Sequence, residues 1–235
     1  DEQKKKWLPS MASGKKIGAL ALTEPVGGSD VLGIQTVAKK EGDAYVINGR
    51  KCFITNSHIS DVCGVIAKTG EKELTCFVVE KGTPGFAPGR EEDKFGLRGC
   101  NTGEVVLENC KVPAENMIGK PGDGLRIALS CISNVGRPGV AASALGIVRR
   151  CLEEAVKYAS KRTLYGKPIA NLQAIQWLIT DIYMDYEISR WTAYYAAWLR
   201  DQGVRCDTEN SLAKFWATRG AVRCAERLID MFGAY

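Results

Sequence analysis

The most specific pattern in this sequence is ALTEPVGGSDVLG, residues 21–33. It follows the apolar run Ile17–Thr23, and its glycines allow the backbone to approach a ligand closely. Thr23 and Ser29 add hydroxyl groups, and backbone amides without partners can face oxygen acceptors. On these residues alone the stretch is predicted to be a loop after a strand, either a plain turn or a ligand-binding loop.

Short runs of strand-forming residues surround this loop as far as about residue 120. The Asn48-Gly49 pair predicts a type I′ hairpin turn between the runs 44–47 and 50–55, because both central residues of that turn have positive φ. The spacing of the runs predicts a meander that closes into a small barrel or sandwich. The remaining predicted strands are Ile17–Thr23, Val62–Ala67, Leu74–Glu80 and Val105–Val112.

After Gly119 the period of the apolar residues changes from two to about 3.6, which predicts helices. The first helix is predicted from about Gly124 to about Ser160, the second after Pro168, and the third after an N-cap at Asp207 or Thr208. A β domain followed by three long helices belongs to the α+β class. The stripes predicted to be buried are Leu172, Ile175, Ile179, Ile182 and Tyr186 in the second helix, and Leu212, Phe215, Val222, Ile229 and Phe232 in the third.

Composition excludes several classes of protein. Of 235 residues, 45% are apolar and 25% are charged, with a net charge of +5, which is typical of a globular chain and not of a disordered one. No basic stripe indicates nucleic-acid binding, and Gly139–Val148, the longest nearly apolar stretch, is too short to span a bilayer. The nine cysteines form no C-x-x-C motif. We therefore expect a soluble protein of a reducing compartment, the cytoplasm or the mitochondrial matrix, without a bound metal.

Two further features are interpreted as structural. His58 is the single histidine, so a Ser-His-Asp relay or a multi-histidine metal site lacks its residues. The glycine cluster at 119–124 precedes a helix, but its spacing matches no phosphate-binding motif, and Pro121 removes an amide donor. We interpret the cluster as a loop between domains.

The loop at 21–33 matches every constrained position of a known signature. That signature, A/G-hydrophobe-S/T-E-x-x-small-G-S/T-D-x-x-G, belongs to the acyl-CoA dehydrogenase family, which this sequence therefore resembles. Stretches similar to later landmarks of the family follow in the same order along the chain. They are NGRKCFITN (48–56), GLR (96–98), VPAEN (112–116), Arg137, and RTLYGKPI (162–169) followed by Gln173.

The resemblance implies an N-terminal helical domain, a β-barrel-like middle domain and a C-terminal helical bundle, assembled as a homotetramer. Residues 1–16 would then be the end of the N-terminal helical region, 17–120 the middle β domain, and 121–235 an incomplete C-terminal helical domain. The chain does not begin with Met, and Lys4–Pro9 reads like the tail of a helix, so we expect an excerpt of a longer polypeptide.

The resemblance also implies bound FAD. Phe53 would form an apolar wall against the flavin ring, and the ring edge would contact the Leu22-Thr23 segment and Thr55. Ser29 would lie between the flavin and the acyl-CoA substrate. Asn134 and Arg137 are the other implied substrate-binding residues, and Arg162, Tyr165 and Gln173 would reach the FAD of a neighbouring subunit. The implied cofactor-binding residues are Leu20, Leu22, Thr23, Gly28, Ser29, Phe53, Ile54, Thr55, Arg162, Leu164, Tyr165, Gln173, Asp230, Gly233 and Ala234.

Two positions depart from the family pattern. Where the family commonly has Q-x-x-G-G near the end of the third helix, this chain has DMFGA at 230–234. An ionised Asp230 would be repelled by a pyrophosphate, and Ala234 would add a methyl group at a crowded turn. The catalytic glutamate precedes the arginine matching Arg137 in one branch of the family, but Gly136 stands there in this chain. We therefore expect the base beyond Tyr235 and no turnover by these residues alone.

The implied reaction is the FAD-dependent α,β-dehydrogenation of an acyl-CoA thioester to the trans-2-enoyl-CoA, with electrons passed to an electron-transfer flavoprotein. Two alternatives stay open on the sequence. One is an acyl-CoA oxidase that reoxidises the flavin with O₂, and the other is a non-catalytic fragment that retains elements of the FAD site.

Overall fold

The computed structural model describes residues 2–235 and divides them into two compact units. The first unit ends at Leu129, and the second comprises Ser130–Tyr235. Among the residues described, no helix combines the length and the apolar character needed to cross a bilayer. The α+β class predicted from the sequence is confirmed, because strands dominate the first unit and helices the second.

The first unit consists of one helix, a sheet and the helix that leads into the second unit. The predicted strands all occur, and three short strands that the sequence analysis did not predict are added to them. The elements are α1 Glu2–Ala12, β1 Gly18–Ala21, β2 Val37–Glu41, β3 Ala44–Thr55, β4 Val62–Gly70, β5 Glu73–Glu80, β6 Phe86–Glu91, β7 Thr102–Pro113, β8 Met117–Ile118 and α2 Gly124–Cys131.

The strands form one sheet in the spatial order β6-β7-β3-β2-β4-β5-β8, with β1 as a parallel partner of β4. The predicted meander is therefore wrong, because β3 pairs with the distant β7 and β2 pairs in parallel with β4. The largest apolar cluster of the sheet includes Tyr45 and Phe77, whose rings lie 4.8 Å apart. Smaller clusters form around Ile66 and Leu74 and around Trp7. This is the β-barrel-like domain that the resemblance implied.

Asn48-Gly49 does not form the predicted hairpin turn. Strand β3 runs straight through the pair, and the turn from β2 to β3 is made at residues 42 and 43, where Gly42 has φ +62°. At Asn48 and Gly49 the register with β7 shifts, and the Asn48 side chain accepts a hydrogen bond from the Asn109 amide. The prediction failed because the glycine at position 49 is required for close packing and not for a turn. A Cβ at this position would lie 2.3 Å from Thr36 Oγ1.

The second unit contains three long helices and one small hairpin. The predicted first helix is continuous but includes a π-helical segment at Ile132–Gly136 between α2 and α3. Ile182 is buried and Ile175, Ile179 and Tyr186 are partly buried, as predicted, whereas Leu172 is exposed and precedes the second helix. The elements are α3 Arg137–Lys161, β9 Thr163–Leu164, β10 Lys167–Pro168, α4 Gln173–Asp201 and α5 Asp207–Phe232.

The prediction of which face of α5 is buried is wrong. Leu212, Phe215, Val222 and Ile229 each expose half or more of their surface, and Phe232 is half-buried. The prediction gave weight to large apolar residues, but α5 packs against α3, whose buried stripe is itself mostly alanine, so small side chains fill the contact. The buried residues of α5 are Asn210, Ala213, Ala217, Gly220, Ala221, Cys224 and Met231.

The predicted N-cap of α5 is also wrong. The cap is Cys206, and its side chain makes no capping hydrogen bond. Asp207 is the first helical residue, and its carboxylate instead accepts hydrogen bonds from Ser133 and Arg205. Because two side-chain donors occupy Asp207, it is not available to cap its own helix.

The close approach at Gly49 generates a prediction. Gly49→Ala is expected to lower the free energy of unfolding by about 1–3 kcal/mol, because the added methyl group collides with the Thr36 backbone, whose Cα lies 2.7 Å from the Cβ position. Urea unfolding followed by circular dichroism measures the change. Gly99→Ala is the matched control: nothing lies within 4 Å of its Cβ position, so its effect should stay within about 0.5 kcal/mol. Equal effects of the two substitutions would contradict the prediction.

Candidate functional site

A cavity of about 550 Å³ opens in the first unit, where the end of α1, strand β1 and the end of β3 meet. This volume lies within the range typical of small-molecule sites. Apolar side chains form most of its wall, and two hydroxyls and one amide lie among them. The lining residues are Met11, Gly18, Ala19, Leu20, Leu22, Thr23, Phe53, Ile54, Thr55 and Asn56.

Six of the residues predicted to bind a cofactor line this cavity together, and they are Leu20, Leu22, Thr23, Phe53, Ile54 and Thr55. Gly28 lies against one of them, since a Cβ on Gly28 would be 3.2 Å from Cγ2 of Thr23. Ser29 follows it on an exposed loop. The sequence analysis missed four lining residues, Met11, Gly18, Ala19 and Asn56. Asn56 ends the NGRKCFITN motif and could have been found there, whereas nothing in the sequence marks Met11.

Phe53 reaches the cavity because of a β-bulge. The register of β3 with β7 shifts between Lys51 and Ile54, which leaves one extra residue on β3. Phe53 in this bulge has φ +57°, an uncommon value for a residue other than glycine, and 64% of its surface is exposed. The bulge therefore turns a large aromatic ring away from the core and towards the cavity opening.

A buried ion pair lies directly behind the cavity wall. Lys51 Nζ is 2.8 Å from Glu24 Oε1, and the two side chains are 0% and 2% exposed. Lys51 also donates to the Leu22 carbonyl at 3.0 Å, and the Glu24 carboxylate accepts from the Gln35 and Thr36 amides. Burial by itself would raise the pKa of Glu24, but the hydrogen bonds from Lys51, Thr36 and Gln35 outweigh it, so this pKa lies below its ordinary value.

In the second unit a further group of predicted residues surrounds one end of α3. Arg162 ends that helix, and its guanidinium lies 5.2 Å from the Tyr235 ring centroid. The α5 C-terminus is packed against the same end, because the rings of Tyr158 and Phe232 lie 4.4 Å apart. Arg162 thus approaches the end of the chain that carries the predicted residues Asp230, Gly233 and Ala234. These last three residues are all exposed.

The other predicted residues of this group lie on the hairpin that follows Arg162. Leu164 ends β9, and Tyr165 and Gly166 form the two-residue turn with φ +51° and +73°. Two consecutive positive φ values are the mark of the tight hairpin turn. This turn exposes 92% of Tyr165, and Gln173 begins α4 a few residues later.

Asn134 and Arg137, the predicted substrate contacts, lie in and directly after the π-helical segment. The Asn134 side chain donates to Ser130 Oγ at 3.0 Å, and its carbonyl accepts a hydrogen bond from Arg200. Arg137 donates to Ser133 Oγ at 3.5 Å. Single π turns inside long helices are frequent at functional sites, because the extra residue changes where the neighbouring side chains point.

Fold and site together define a class of protein: a barrel-like β domain with an apolar, hydroxyl-bearing pocket, followed by a domain of long helices. Two family models match the chain, the acyl-CoA dehydrogenase middle domain at residues 19–110 and the acyl-CoA dehydrogenase C-terminal domain at residues 122–235. The chain belongs to the acyl-CoA dehydrogenase family.

Relatives and solved structures agree with that assignment. An acyl-CoA dehydrogenase of Bacillus subtilis is 44% identical over the whole of this chain, which spans 63% of that relative. The solved structure of butyryl-CoA dehydrogenase from Megasphaera elsdenii matches the whole of this chain with 40% identity and a TM-score of 0.96. The match covers 62% of the butyryl-CoA dehydrogenase chain. A chain from a structural study of the electron transferring flavoprotein of Acidaminococcus fermentans matches with 39% identity and a TM-score of 0.96. That match covers 100% of this chain and 62% of the other. The chain thus spans less than two thirds of each of them.

The buried carboxylate generates a pH-dependent prediction. The pKa of Glu24 is lower in the folded protein than its ordinary 4.5, so its ionised form adds stability that is fully present above about pH 5. This stability is lost as the pH falls through the lowered pKa of the folded state. Glu24→Gln should therefore be least stable relative to the parent protein near neutral pH, and the difference should shrink on acidification.

Urea unfolding at intervals from about pH 7 to about pH 3 measures this difference. Asn116→Ala is the control, because the Asn116 side chain is buried, donates to the Val78 carbonyl and does not ionise. Its effect on stability should stay constant over the same range. A constant difference for Glu24→Gln as well would rule out the lowered pKa.

Proposed function

We propose that the protein catalyses the FAD-dependent α,β-dehydrogenation of an acyl-CoA thioester to the trans-2-enoyl-CoA and passes the electrons to an electron-transfer flavoprotein. The observation that carries this proposal is the cavity in the first unit, where six residues implied by the family pattern meet. Family membership supports the reaction class, and the similarity to butyryl-CoA dehydrogenase supports an acyl-CoA substrate.

The chemistry of the cavity fits a flavin. A flavin ring has two flat apolar faces and a polar edge of carbonyl and nitrogen atoms, so it needs an apolar wall together with hydrogen-bonding groups. Leu20, Leu22 and the exposed ring of Phe53 would supply the wall, and Thr23 and Thr55 would supply the groups at the edge. When bound, FAD supplies the site that accepts the hydride from the substrate.

The pyrophosphate of FAD would be held by residues of the second unit, acting across a subunit boundary in a homotetramer. Arg162 is the principal candidate, because a guanidinium forms charge-assisted hydrogen bonds with phosphate oxygens. Leu164, Tyr165 and Gln173 belong to the same proposed surface. Asp230 would stand near the phosphates as an unfavourable charge, so the backbone around Gly233 and Ala234 is the contact that we propose there.

Ser29, Asn134 and Arg137 would contact the acyl-CoA substrate. Ser29 offers a hydroxyl from the loop beside the cavity, and Asn134 and Arg137 offer an amide and a cation from the π-helical region. The hydrogen bonds of Asn134 with Ser130 and Arg200 would hold the π-helical segment in one position while acyl-CoA binds.

No residue that lines the cavity has a carboxylate. Glu24, the nearest acidic residue in the motif, is fully engaged with Lys51 and two backbone amides, so it is a poor proton acceptor. Gly136 has no side chain to offer. We therefore propose, by the resemblance, that the base is a glutamate beyond residue 235, and that residues 1–235 have no dehydrogenase activity by themselves.

The role of Arg162 can be tested by FAD binding. In the full-length protein, Arg162→Ala is expected to weaken FAD binding by about ten- to a hundred-fold, because charge-assisted hydrogen bonds contribute roughly 1.5–3 kcal/mol. Titration of the apoprotein with FAD, followed by flavin fluorescence, measures the affinity. Arg149→Ala is the matched control, since Arg149 lies on the same helix but pairs with Glu153 at the surface. Unchanged affinity in a folded Arg162→Ala protein would refute this role.

The electron acceptor can be tested with the FAD-loaded full-length protein. An acyl-CoA should reduce the flavin with formation of the enoyl-CoA, and the reduced flavin should then be reoxidised rapidly by an electron-transfer flavoprotein and slowly by O₂. Stopped-flow absorbance of the flavin under the two conditions measures both rates. Rapid reoxidation by O₂ would favour the oxidase alternative. A full-length protein that stays colourless with FAD would overturn the proposal as a whole.

A further inference from the structure

The ion pair of Glu24 and Lys51 is more than a source of stability. Neither residue lines the cavity, and burying two charges costs several kcal/mol of desolvation, so replacing such a pair with apolar residues is often neutral for stability. What the pair does in this fold is hold backbone groups of two separate segments at once, Leu22 in the cavity wall and Gln35 with Thr36 at the end of the loop that follows it.

The first attachment is to the end of β1. Lys51 Nζ donates to the Leu22 carbonyl at 3.0 Å, and the Cys52 amide donates to the Thr23 carbonyl at 2.9 Å. Two consecutive residues of β3 thus bind two consecutive carbonyls of the cavity wall. The same strand continues directly into Phe53, so one pair of contacts sets the spacing between the two sides of the cavity.

The second attachment closes the loop that carries Gly28 and Ser29. Glu24 begins this loop, and its carboxylate accepts hydrogen bonds from the amides of Gln35 and Thr36, where the loop ends. Between these points the backbone makes mainly local bonds, such as the pair between Glu24 and Gly27. Residues 28–30 are exposed, so the carboxylate at the base of the loop is the main polar restraint on its path.

We propose that Glu24 and Lys51 are positioning residues for the cofactor: their ion pair fixes the Leu22-Thr23 backbone and closes loop 25–34 before FAD binds. This inference rests on the proposed function and adds to it two residues that do not touch the ligand. A loop that is already closed leaves less conformational entropy to be lost on binding. If the loop adopted its FAD-binding conformation only about a tenth of the time, the apparent dissociation constant for FAD would rise about ten-fold.

Lys51→Met in the full-length protein tests the inference, because methionine keeps the length and removes the charge and the donor. We expect FAD binding to weaken at least about ten-fold, measured by flavin fluorescence. In the FAD-free protein we expect faster amide hydrogen exchange in residues 22–36, measured by mass spectrometry.

Two further variants separate positioning from stability. Val79→Ala removes part of a buried side chain of the same unit that does not line the cavity. It should lower the urea midpoint without changing FAD affinity more than about two-fold. Glu24→Gln with Lys51→Met removes both charges and should recover the stability lost in Lys51→Met. Its FAD affinity should stay low, because the Leu22 carbonyl still lacks its donor. Should Lys51→Met fail to fold, the double variant carries the same test.

The inference is overturned if FAD affinity follows the urea midpoint across all three variants, or if exchange in residues 22–36 is unchanged in the Lys51→Met protein. Failure of the parent protein to bind FAD would instead overturn the proposed function. The exchange of the FAD-free protein would still decide whether the pair holds the loop, so the two failures are distinguishable.

Discussion

Everything at the cavity depends on one buried contact, the ion pair between Glu24 and Lys51. Two charges in an apolar interior are tolerated only when both are paired and hydrogen-bonded. The chain meets this requirement with backbone groups, namely the Leu22 carbonyl and the amides of Gln35 and Thr36. Because these partners lie on two segments that the ion pair joins to β3, satisfying the charges also brings those segments to fixed places. The hydrogen bonds that the buried ion pair requires therefore determine the geometry of the cavity.

Two residues of the cavity wall have unusual backbone conformations. Phe53 and Asn56 have φ values of +57° and +66°, and both line the cavity. Such conformations cost free energy and persist only where the surrounding structure imposes them. Phe53 lies in the bulge of β3, and Asn56 donates hydrogen bonds to the Asn101 and Gly18 carbonyls. The result is an exposed aromatic ring beside hydroxyl groups. The conformation of Phe53 therefore lowers the stability of the first unit, but it exposes the Phe53 ring at the cavity, where a regular strand would not place it.

The second unit follows a different principle, in which small residues make the contacts between helices. Alanine and cysteine fill the contact between α3 and α5, so the two backbones approach closely. Close approach brings the ends of both helices together, which places Arg162 near the last residues of the chain. The large apolar side chains of α5 are left on the opposite face, where Phe215 and Ile229 are exposed. Size, more than hydrophobicity, decided which face was buried.

The sequence by itself determined the class of the fold, the order of its elements and the family, because local periodicity and short motifs such as residues 21–33 and 48–56 are written in consecutive residues. It also identified six residues of the cavity wall, from Leu20 to Thr55. Only the tertiary structure decided that Asn48-Gly49 lies within a strand, that α5 buries its alanines, and that Met11 reaches the cavity. Each of these depends on a partner in another element of the fold, Thr36 for Gly49, α3 for α5 and Gly18 for Met11. No pattern within a single segment records which partner it will meet.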